Sequence, residues 1–297
     1  MKYLHFIVNP ISGKGNHVID EVRLKNYFPS DKYKIVLEFT EYKKHAEELA
    51  KMAVLQKPDC IIACGGDGTI NEVASAIVGT AIKLGIIPVG SGNGLASNLE
   101  IPQHIEKAVA IIKAEKTASI DVGKINGHYF FSNMGLGIDA MIIDKYEKSK
   151  KRTLLSYVKA SLSASFEYKP TECQVGMNGK TITANPFLLF ISNSNEMGYK
   201  MSLTPSASLS DGLLDMVVVP QLSFLEKLQL GYSVLRNKVQ RFEKASHQLF
   251  RECIIDMPLR IFADVQIDGE FHKLKTNRIS VSIIEKGLKV IIPSYKN

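Results

Sequence analysis

Glycine-rich segments follow three of the apolar runs in the first third of the sequence. "GGDGT" (65–69) comes after "CIIAC", "NPISGKG" (9–15) ends the run "YLHFIV", and "PVGSGNG" (88–94) follows "LGII". Glycine has no Cβ, so backbone amides at such turns can approach a ligand, and a helix that begins there adds partial positive charge. Three such turns predict a site for a polyphosphate nucleotide.

Asp67 lies inside "GGDGT", where its carboxylate would repel a phosphate, so its presence there needs its own explanation. It can hold a Mg²⁺ ion that bridges to the phosphates, accept a hydrogen bond from a ligand hydroxyl, or cap a helix. None of the three segments has the GxxxxGK[ST] or GxGxxG spacing, so neither of those two phosphate-binding templates applies. The residues alone leave the three explanations open.

The elements that position these turns alternate between strands and helices. Helical spacing recurs in Ala46, Leu49, Ala50 and Ala53, and again in Ile70, Val73, Ala74 and Ile77. Apolar runs without alternation are typical of strands covered on both faces. The pattern predicts a doubly wound parallel α/β domain. Its strands are expected at Tyr3–Asn9, Tyr33–Thr40, Asp59–Cys64 and Leu84–Val89.

The remainder of the chain has a different pattern. Asn126-Gly127, Asn178-Gly179 and Asp268-Gly269 each lie between β-rich runs, which predicts antiparallel hairpins with type I′ turns. Helical segments interrupt this half near 139–149, 153–166 and 222–241. We therefore predict a nucleotide-binding domain over residues 1–120, which residues 288–297 would complete, and a second, mainly antiparallel domain over 121–287.

Composition restricts the class of protein. The 297 residues carry a net charge of +7, which favours anionic partners, and no apolar run approaches the roughly 18 residues that span a bilayer. Basic residues are not interleaved with aromatics, so we expect no nucleic-acid partner. The four cysteines have no metal-like spacing and indicate buried free thiols in a reducing cytoplasm.

Five segments, taken in order, resemble the diacylglycerol kinase catalytic family, which includes bacterial lipid kinases, sphingosine kinases and ceramide kinases. They are "NPISG", "GGDGT", "PVGSGNGLA", "SDGLLD" (210–215) and "VQIDGE" (265–270). The resemblance implies an N-terminal nucleotide-binding α/β domain, a C-terminal β-sandwich and an active site in the cleft between them. It implies ATP and Mg²⁺ as cofactors and a membrane lipid as the phosphate acceptor.

The resemblance also assigns roles to residues. Glu270 or Asp268 would be the general base. In the phosphotransfer hypothesis that follows from it, Lys14 with Lys159 would stabilise the transferring phosphoryl group. Ser208, Asp211 and Leu213 would hold Mg²⁺, partly through backbone oxygens. Nucleotide contacts are expected at Asn9, Pro10, Ile11, Ser12, Gly13, Thr40, Gly65, Gly66, Asp67, Gly68, Thr69, Asn71, Glu72, Ser91 and Asn93.

Some positions depart from the family pattern. Many bacterial diacylglycerol kinases have GTxND where this chain has "GSGNG", so Ser91 replaces a threonine and Gly94 an aspartate. Sphingosine kinases commonly have GSGN followed by a small residue. Tyr199 and Lys200 stand where extra glycines are frequent in the family. The lipid acceptor, whether diacylglycerol, a sphingoid base or another lipid alcohol, therefore stays open.

The resemblance and the charge together predict a cytoplasmic lipid kinase that associates peripherally with anionic membrane surfaces. Lys150, Lys151 and Arg152 are the predicted contacts to lipid headgroups. A homodimer is compatible with the sequence. An NAD kinase, which shares the GGDGT loop, and a nucleotide- or lipid-binding protein without turnover are the alternatives.

Overall fold

The computed structural model describes residues 1–13, 19–90, 93–149, 153–197 and 201–294, and the chain divides into two compact units. Unit 1 comprises Met1–Ile120 and Lys286–Asn297, and unit 2 comprises Asp121–Glu285. In the described part of the chain, no helix combines the length and the apolar character needed to cross a membrane. Each unit has its own architecture.

Unit 1 alternates strands and helices along the chain. In chain order these are β1 (Lys2–Val8), α1 (Glu21–Tyr27), β2 (Tyr33–Phe39), α2 (His45–Leu55), β3 (Cys60–Gly65), α3 (Asp67–Ile77), β4 (Lys83–Pro88), α4 (Gly94–Asn98) and α5 (Ile105–Ala114). The strands lie in the order β2-β1-β3-β4, and their pairings are parallel. The order reverses between β1 and β3, the point at which open α/β sheets bind ligands.

Burial explains why these sequences adopt these elements. All six residues of β3 are buried, as expected for a strand whose two faces are both covered. Helix α3 buries the stripe Ile70, Val73, Ala74 and Ile77 that its sequence spacing predicts. The predicted doubly wound α/β fold of this part of the chain is confirmed.

Unit 2 contains two antiparallel sheets. Its strands are β6 (His128–Phe130), β7 (Asn133–Gly137), β8 (Cys173–Met177), β9 (Lys180–Ala184), β10 (Pro186–Ser192), β11 (Leu214–Pro220), β12 (Ser246–Phe250), β13 (Glu252–Asp256), β14 (Ala263–Ile267) and β15 (Glu270–Leu274). One sheet has the order β12-β11-β10-β7-β14-β15, and in the other β13 pairs with β8, which pairs with β9. Side chains of both sheets form one buried core, so the predicted β-sandwich is confirmed.

Two strands include residues of both units. Strand β5 (Thr117–Ile125) pairs with β6 in unit 2. In β16 (Arg278–Ile291), residues Arg278 to Ser282 pair with β13 of unit 2. Later in the same strand, Lys289 and Val290 pair in parallel with β4 of unit 1. The end of β16 therefore adds a strand to the parallel sheet of unit 1.

The hairpin turns of unit 2 follow the predicted type in two of three cases. Asn178-Gly179 and Asp268-Gly269 both have positive φ at each residue, as a type I′ turn requires. At Asn126-Gly127 the prediction was wrong in its turn type, because Asn126 has φ 50° but Gly127 is outside the positive-φ region. The hairpin itself forms, with Ile125 opposite His128.

Three helices accompany the sheets of unit 2: α6 (Ile138–Glu147), α7 (Leu154–Glu167) and α8 (Phe224–Leu235). Ile138, Ala164 and Leu230, one from each helix, share a second buried cluster with strands β10 and β11. The helix predicted over 222–241 ends earlier, and a separate 3₁₀ turn covers Val239–Arg241. Asn237 lies between them with φ 52°, and its side-chain oxygen accepts a hydrogen bond from the Ser202 amide at 2.7 Å.

Candidate nucleotide and phosphotransfer sites

The three glycine turns of unit 1 meet at the carboxyl edge of the sheet. A Cβ added to Gly13, which has φ +64°, would lie 2.2 Å from the carbonyl oxygen of Val89. A Cβ on Gly66 would lie 3.4 Å from Ser12 Oγ, and one on Gly90 would lie 2.4 Å from Gly66 Cα. The turns after β1, β3 and β4 therefore pack backbone against backbone, a contact that side chains would prevent.

Asn9 orders the first of these turns. Its backbone amide donates to Cys64 O at 2.9 Å, and its side-chain oxygen accepts from the Ile11 amide at 3.2 Å. Its side-chain nitrogen donates to Thr69 Oγ1 at 3.2 Å, which ties the first turn to α3. Pro10 and Ile11 are exposed. Lys14, predicted to contact the phosphates, is outside the described residues.

Asp67 caps a helix. Its carboxylate oxygens accept hydrogen bonds from the backbone amides of Asn93 at 2.7 Å and Gly94 at 2.5 Å, where α4 begins. Asn93 adopts the left-handed conformation with φ 56°, and its side-chain nitrogen donates to Gly90 O at 2.7 Å. Of the three explanations for Asp67, this geometry supports the capping role, which also fixes the third turn against the second.

Two further predicted contacts stabilise local structure around α3. The Glu72 carboxylate accepts from the amides of Lys44 and Ala46, each at 3.1 Å, and so caps the start of α2. Asn71 accepts a hydrogen bond from Ser75 Oγ one turn later.

Three of the other predicted nucleotide contacts, Thr40, Gly65 and Gly68, lie at the same edge of the sheet. Thr40 follows β2 and donates its amide to Val8 O at 2.9 Å. Gly65 packs against Thr69, whose side chain is only 2.5 Å from a Cβ placed on that glycine. Gly68 belongs to the first turn of α3, and Ser91 is not among the described residues.

In unit 2, the hairpin that carries the two candidate bases is held by Asp268. One carboxylate oxygen accepts from the amides of Ser132 at 2.8 Å and Asn133 at 3.0 Å, and the other accepts from the Phe131 amide at 2.8 Å. Glu270 begins β15, lies opposite Ile267 and is half-buried. Asp268 therefore orients the backbone of this hairpin.

A buried polar network that the sequence did not reveal supports this hairpin. Gln266 donates to Asn133 Oδ1 at 2.7 Å and accepts from the Gly269 amide at 2.9 Å. The Asp139 side chain lies next to Gly135, since a Cβ there would be 1.9 Å from Asp139 Oδ2. Glycine inside a strand indicates such close approach, so Gly135 was the one available signal.

Asp139 is 4% exposed, and burial raises its pKa to about 6, although a hydrogen bond from Gln266 acts in the opposite direction. Its Oδ2 atom is buried and has no hydrogen-bond partner in the part of the chain that the structure describes. The carboxyl group is therefore held in an environment that favours its protonated form.

The segment predicted to bind metal is a turn fixed by carboxylates. The Gly212 amide donates to Asp121 Oδ2 at 2.8 Å, and the Leu213 amide donates to Asp211 Oδ1 at 3.0 Å. Ser208 Oγ accepts from the Ser210 amide at 3.3 Å. Within the described ranges, no cluster of three or more His, Cys, Asp or Glu side chains is arranged to hold a metal ion.

Two further groups lie in unit 2: Asp215, which was not among the predicted site residues, and Lys159, which was. Burial, with a smaller contribution from the charge of Asp211, raises the pKa of Asp215 to about 6. Lys159 is exposed on α7.

Comparison with known proteins identifies the family. The diacylglycerol kinase catalytic domain matches residues 3–125, and the YegS C-terminal NAD kinase beta sandwich-like domain matches residues 132–290. A diacylglycerol kinase of Bacillus subtilis (strain 168) is 31% identical over 245 residues, covering 80% of each chain. The chain belongs to the diacylglycerol kinase catalytic-domain family, and it is a kinase.

Other relatives agree with this membership. A diacylglycerol kinase of Staphylococcus aureus (strain MRSA252) is 27% identical and is matched over 99% of this chain and 93% of its own. A crystal structure of a diacylglycerol kinase from Bacillus anthracis str. Sterne superposes with a TM-score of 0.70 at 19% identity, over 98% of this chain and 97% of that one. That structural likeness supports the two-part fold.

Proposed function

We propose that this kinase transfers the γ-phosphate of ATP to the hydroxyl group of a membrane lipid. The observation that carries the proposal is the contact among the turns at Gly13, Gly66 and Gly90, which lies at the switch point of the unit 1 sheet. The kinase family and the lipid alcohols named for its members support the acceptor class. Diacylglycerol is the acceptor that the names of the relatives favour.

The nucleotide phosphates would be bound by backbone amides of unit 1. Gly66 is the N-cap residue of helix α3, which has no side-chain cap among the described residues, so the partial positive charge of its first turn faces the glycine turns. Asn9, Thr69 and Asn93 hold those turns in register through the hydrogen bonds described above. Rigid turns of this kind bind phosphate without reorganisation during the reaction.

The turn at Ser208–Leu213 would hold Mg²⁺. Asp121 and Asp211 attach to this one turn, and its hydroxyl and carbonyl groups add neutral oxygens. One or two carboxylates with further oxygens suit magnesium, which would neutralise phosphate charge when bound.

Glu270 would act as the general base. It would accept the proton of the lipid hydroxyl while that oxygen forms its bond to the γ-phosphorus and the bond to the leaving ADP breaks. Asp268 and Gln266 position the hairpin on which Glu270 lies, because both accept hydrogen bonds from its neighbouring backbone. Lys159, which is exposed, and Lys14, which lies outside the described residues, would contribute positive charge toward the transferring group.

An NAD kinase is the second candidate, since the family matched by residues 132–290 is described as NAD kinase-like in its β-sandwich. Incubation with labelled ATP, Mg²⁺ and either NAD or dispersed diacylglycerol separates the two. We expect label in the lipid fraction and none in NADP. Label in NADP alone would contradict the proposal, and label in neither with intact ATP binding would favour a non-catalytic binding protein.

A further inference from the structure

Helices α7 and α8 each expose an apolar stripe to solvent. In both helices the exposed apolar residues recur every three or four positions, so each set lies on one face of its helix. The eight side chains are 37% to 70% exposed. They are Leu155, Val158, Leu162 and Phe166 on α7, and Leu225, Leu228, Tyr232 and Leu235 on α8; we call them the α7–α8 apolar face.

The stripes point away from the protein interior. Helix α7 uses Ala160 and Ala164 to pack inward, and α8 uses Leu230. Helix α7 thus buries only alanines and α8 buries a single leucine, while the larger apolar side chains of both helices face solvent. Single exposed leucines are ordinary, but an aligned series on two helices indicates an interaction surface.

The two helices are joined, so the stripes form one surface. Lys227 Nζ on α8 donates to the Ser165 carbonyl oxygen on α7 at 2.5 Å. The rings of Phe166 and Phe224 stack with centroids 6.1 Å apart and an interplanar angle of 27°.

The charge around the face is predominantly positive. Arg236 and Lys238 are exposed directly after α8, and Arg241 lies beside Leu228 and Tyr232 together with one exposed acid, Glu243. The acidic residues of the two helices are paired: Glu167 with Lys145 at 2.9 Å, and Glu226 with Lys244 at 2.5 Å. Neutralised acids and exposed bases beside an apolar stripe are complementary to anionic lipid headgroups above acyl chains.

We propose that the α7–α8 apolar face docks the kinase on the anionic leaflet of a membrane, with the leucine and aromatic side chains entering the headgroup boundary. The choice of a lipid surface over a protein partner rests on the proposed function, because a lipid acceptor resides in a membrane. The basic run Lys150, Lys151 and Arg152, predicted from the sequence to contact headgroups, lies outside the described residues, so the docking surface is proposed on α7 and α8 alone.

The test is vesicle sedimentation of the full chain. Wild type, Leu162→Asn/Leu228→Asn and the control Met52→Asn/Leu55→Asn are mixed with phosphatidylcholine vesicles that contain about one-third phosphatidylglycerol. The control removes two exposed apolar residues of α2, so it matches the change in surface polarity. We expect the face variant to bind at least about tenfold more weakly and the control to bind like wild type.

The electrostatic part is tested with Lys238→Glu and with vesicles of phosphatidylcholine alone. Both should reduce binding severalfold, and added salt should reduce the binding of wild type in the same direction. Equal melting temperatures of all variants will show that folding is unchanged. Binding of the face variant equal to that of wild type would overturn the proposal.

Two further measurements distinguish membrane docking from a dimer interface and from the proposed catalytic function. If sedimentation equilibrium shows a wild-type dimer that the face variant disrupts while vesicle binding persists, a second copy covers the face and the proposal is wrong. Turnover with a short-chain, water-soluble diacylglycerol tests the proposed function separately. We expect the face variant to turn over this soluble substrate like wild type. If wild type forms no product, the proposed lipid kinase activity is wrong, and the vesicle-binding result still tests the docking surface on its own.

Discussion

Glu270 and Asp268 lie two residues apart at the same hairpin. Asp268 accepts three backbone hydrogen bonds from Phe131, Ser132 and Asn133, whereas Glu270 lies half-buried at the first position of β15. Asp268 is therefore a positioning group, and the proposed function gives Glu270 the role of general base.

Substitution of each residue should separate these roles. Glu270→Gln should lower kcat by about 10²–10⁴-fold with little change in the melting temperature, because only proton transfer is lost. Asp268→Asn should lower the free energy of unfolding by about 1–3 kcal/mol, since an amide replaces one acceptor oxygen with a donor. Steady-state kinetics and thermal melts measure both. A large loss of stability in Glu270→Gln with none in Asp268→Asn would reverse the assignment.

Asp139 gives the protein a predictable pH dependence. Burial raises its pKa from an ordinary 3.8 to about 6 in the folded state, so the folded protein binds this proton more tightly than the unfolded chain. Its stabilising contribution is complete below pH 4 and is lost as pH rises through 6, by roughly 3 kcal/mol. Asp215 contributes in the same direction.

Asp139→Asn should therefore raise the melting temperature at pH 8, and the difference from wild type should shrink toward pH 4. Denaturation curves across this range measure it, with exposed Asp31→Asn as the matched control. Parallel stability–pH curves for wild type and Asp139→Asn would contradict the account.

Among the elements, the glycine turns depend on backbone contact. Gly90→Ala places a Cβ 2.4 Å from Gly66 Cα and 2.8 Å from Asn93 Oδ1, so a turn must shift. We expect ATP to bind about tenfold more weakly or worse. Gly66→Ala meets its nearest neighbours at 3.3 Å and should have a milder effect.

Calorimetric titration with an ATP analogue measures these affinities. Gly127→Ala serves as the control, because a Cβ there has no neighbour within 4 Å. Unchanged affinity in the Gly90 variant, with the fold intact, would show that the turns do not bind the nucleotide phosphates.

The secondary-structure elements also show how much of the fold could be predicted from the sequence. Strands and helices of the α/β part follow from local periodicity, and the fold class is confirmed. The role of Asp67 was not readable, because its partners at Asn93 and Gly94 lie more than 20 residues away, as the 26- and 27-residue separations show. The end of α8 depended likewise on Asn237, whose side chain bonds to a distant backbone amide.

Buried polar residues were the hardest to find for the same reason. Gln266, Asn133 and Asp139 lie on separate elements of unit 2, and no local spacing connects them. The sequence identified the hairpin that they support through its Asp-Gly turn. The sequence alone could not assign separate roles to Asp268 and Glu270, because the backbone amides that Asp268 accepts from lie more than 130 residues away in the chain.

For the whole molecule, a parallel α/β unit with glycine turns at one sheet edge and a β-sandwich unit with an exposed apolar helical face belong to one chain of net charge +7. A kinase that acts on lipids needs both a phosphate-binding site and contact with a membrane surface. The proposed assignment gives the first function to the glycine turns and the second to α7 and α8.

Mass spectrometry of a membrane lipid extract tests the central claim most directly. The extract is incubated with ATP, Mg²⁺ and either wild type or Glu270→Gln, and lipid species are compared before and after. We predict lipid alcohols that gain one phosphate with wild type and almost none with the variant. No phosphorylated lipid with wild type, or equal amounts with both proteins, would contradict the account.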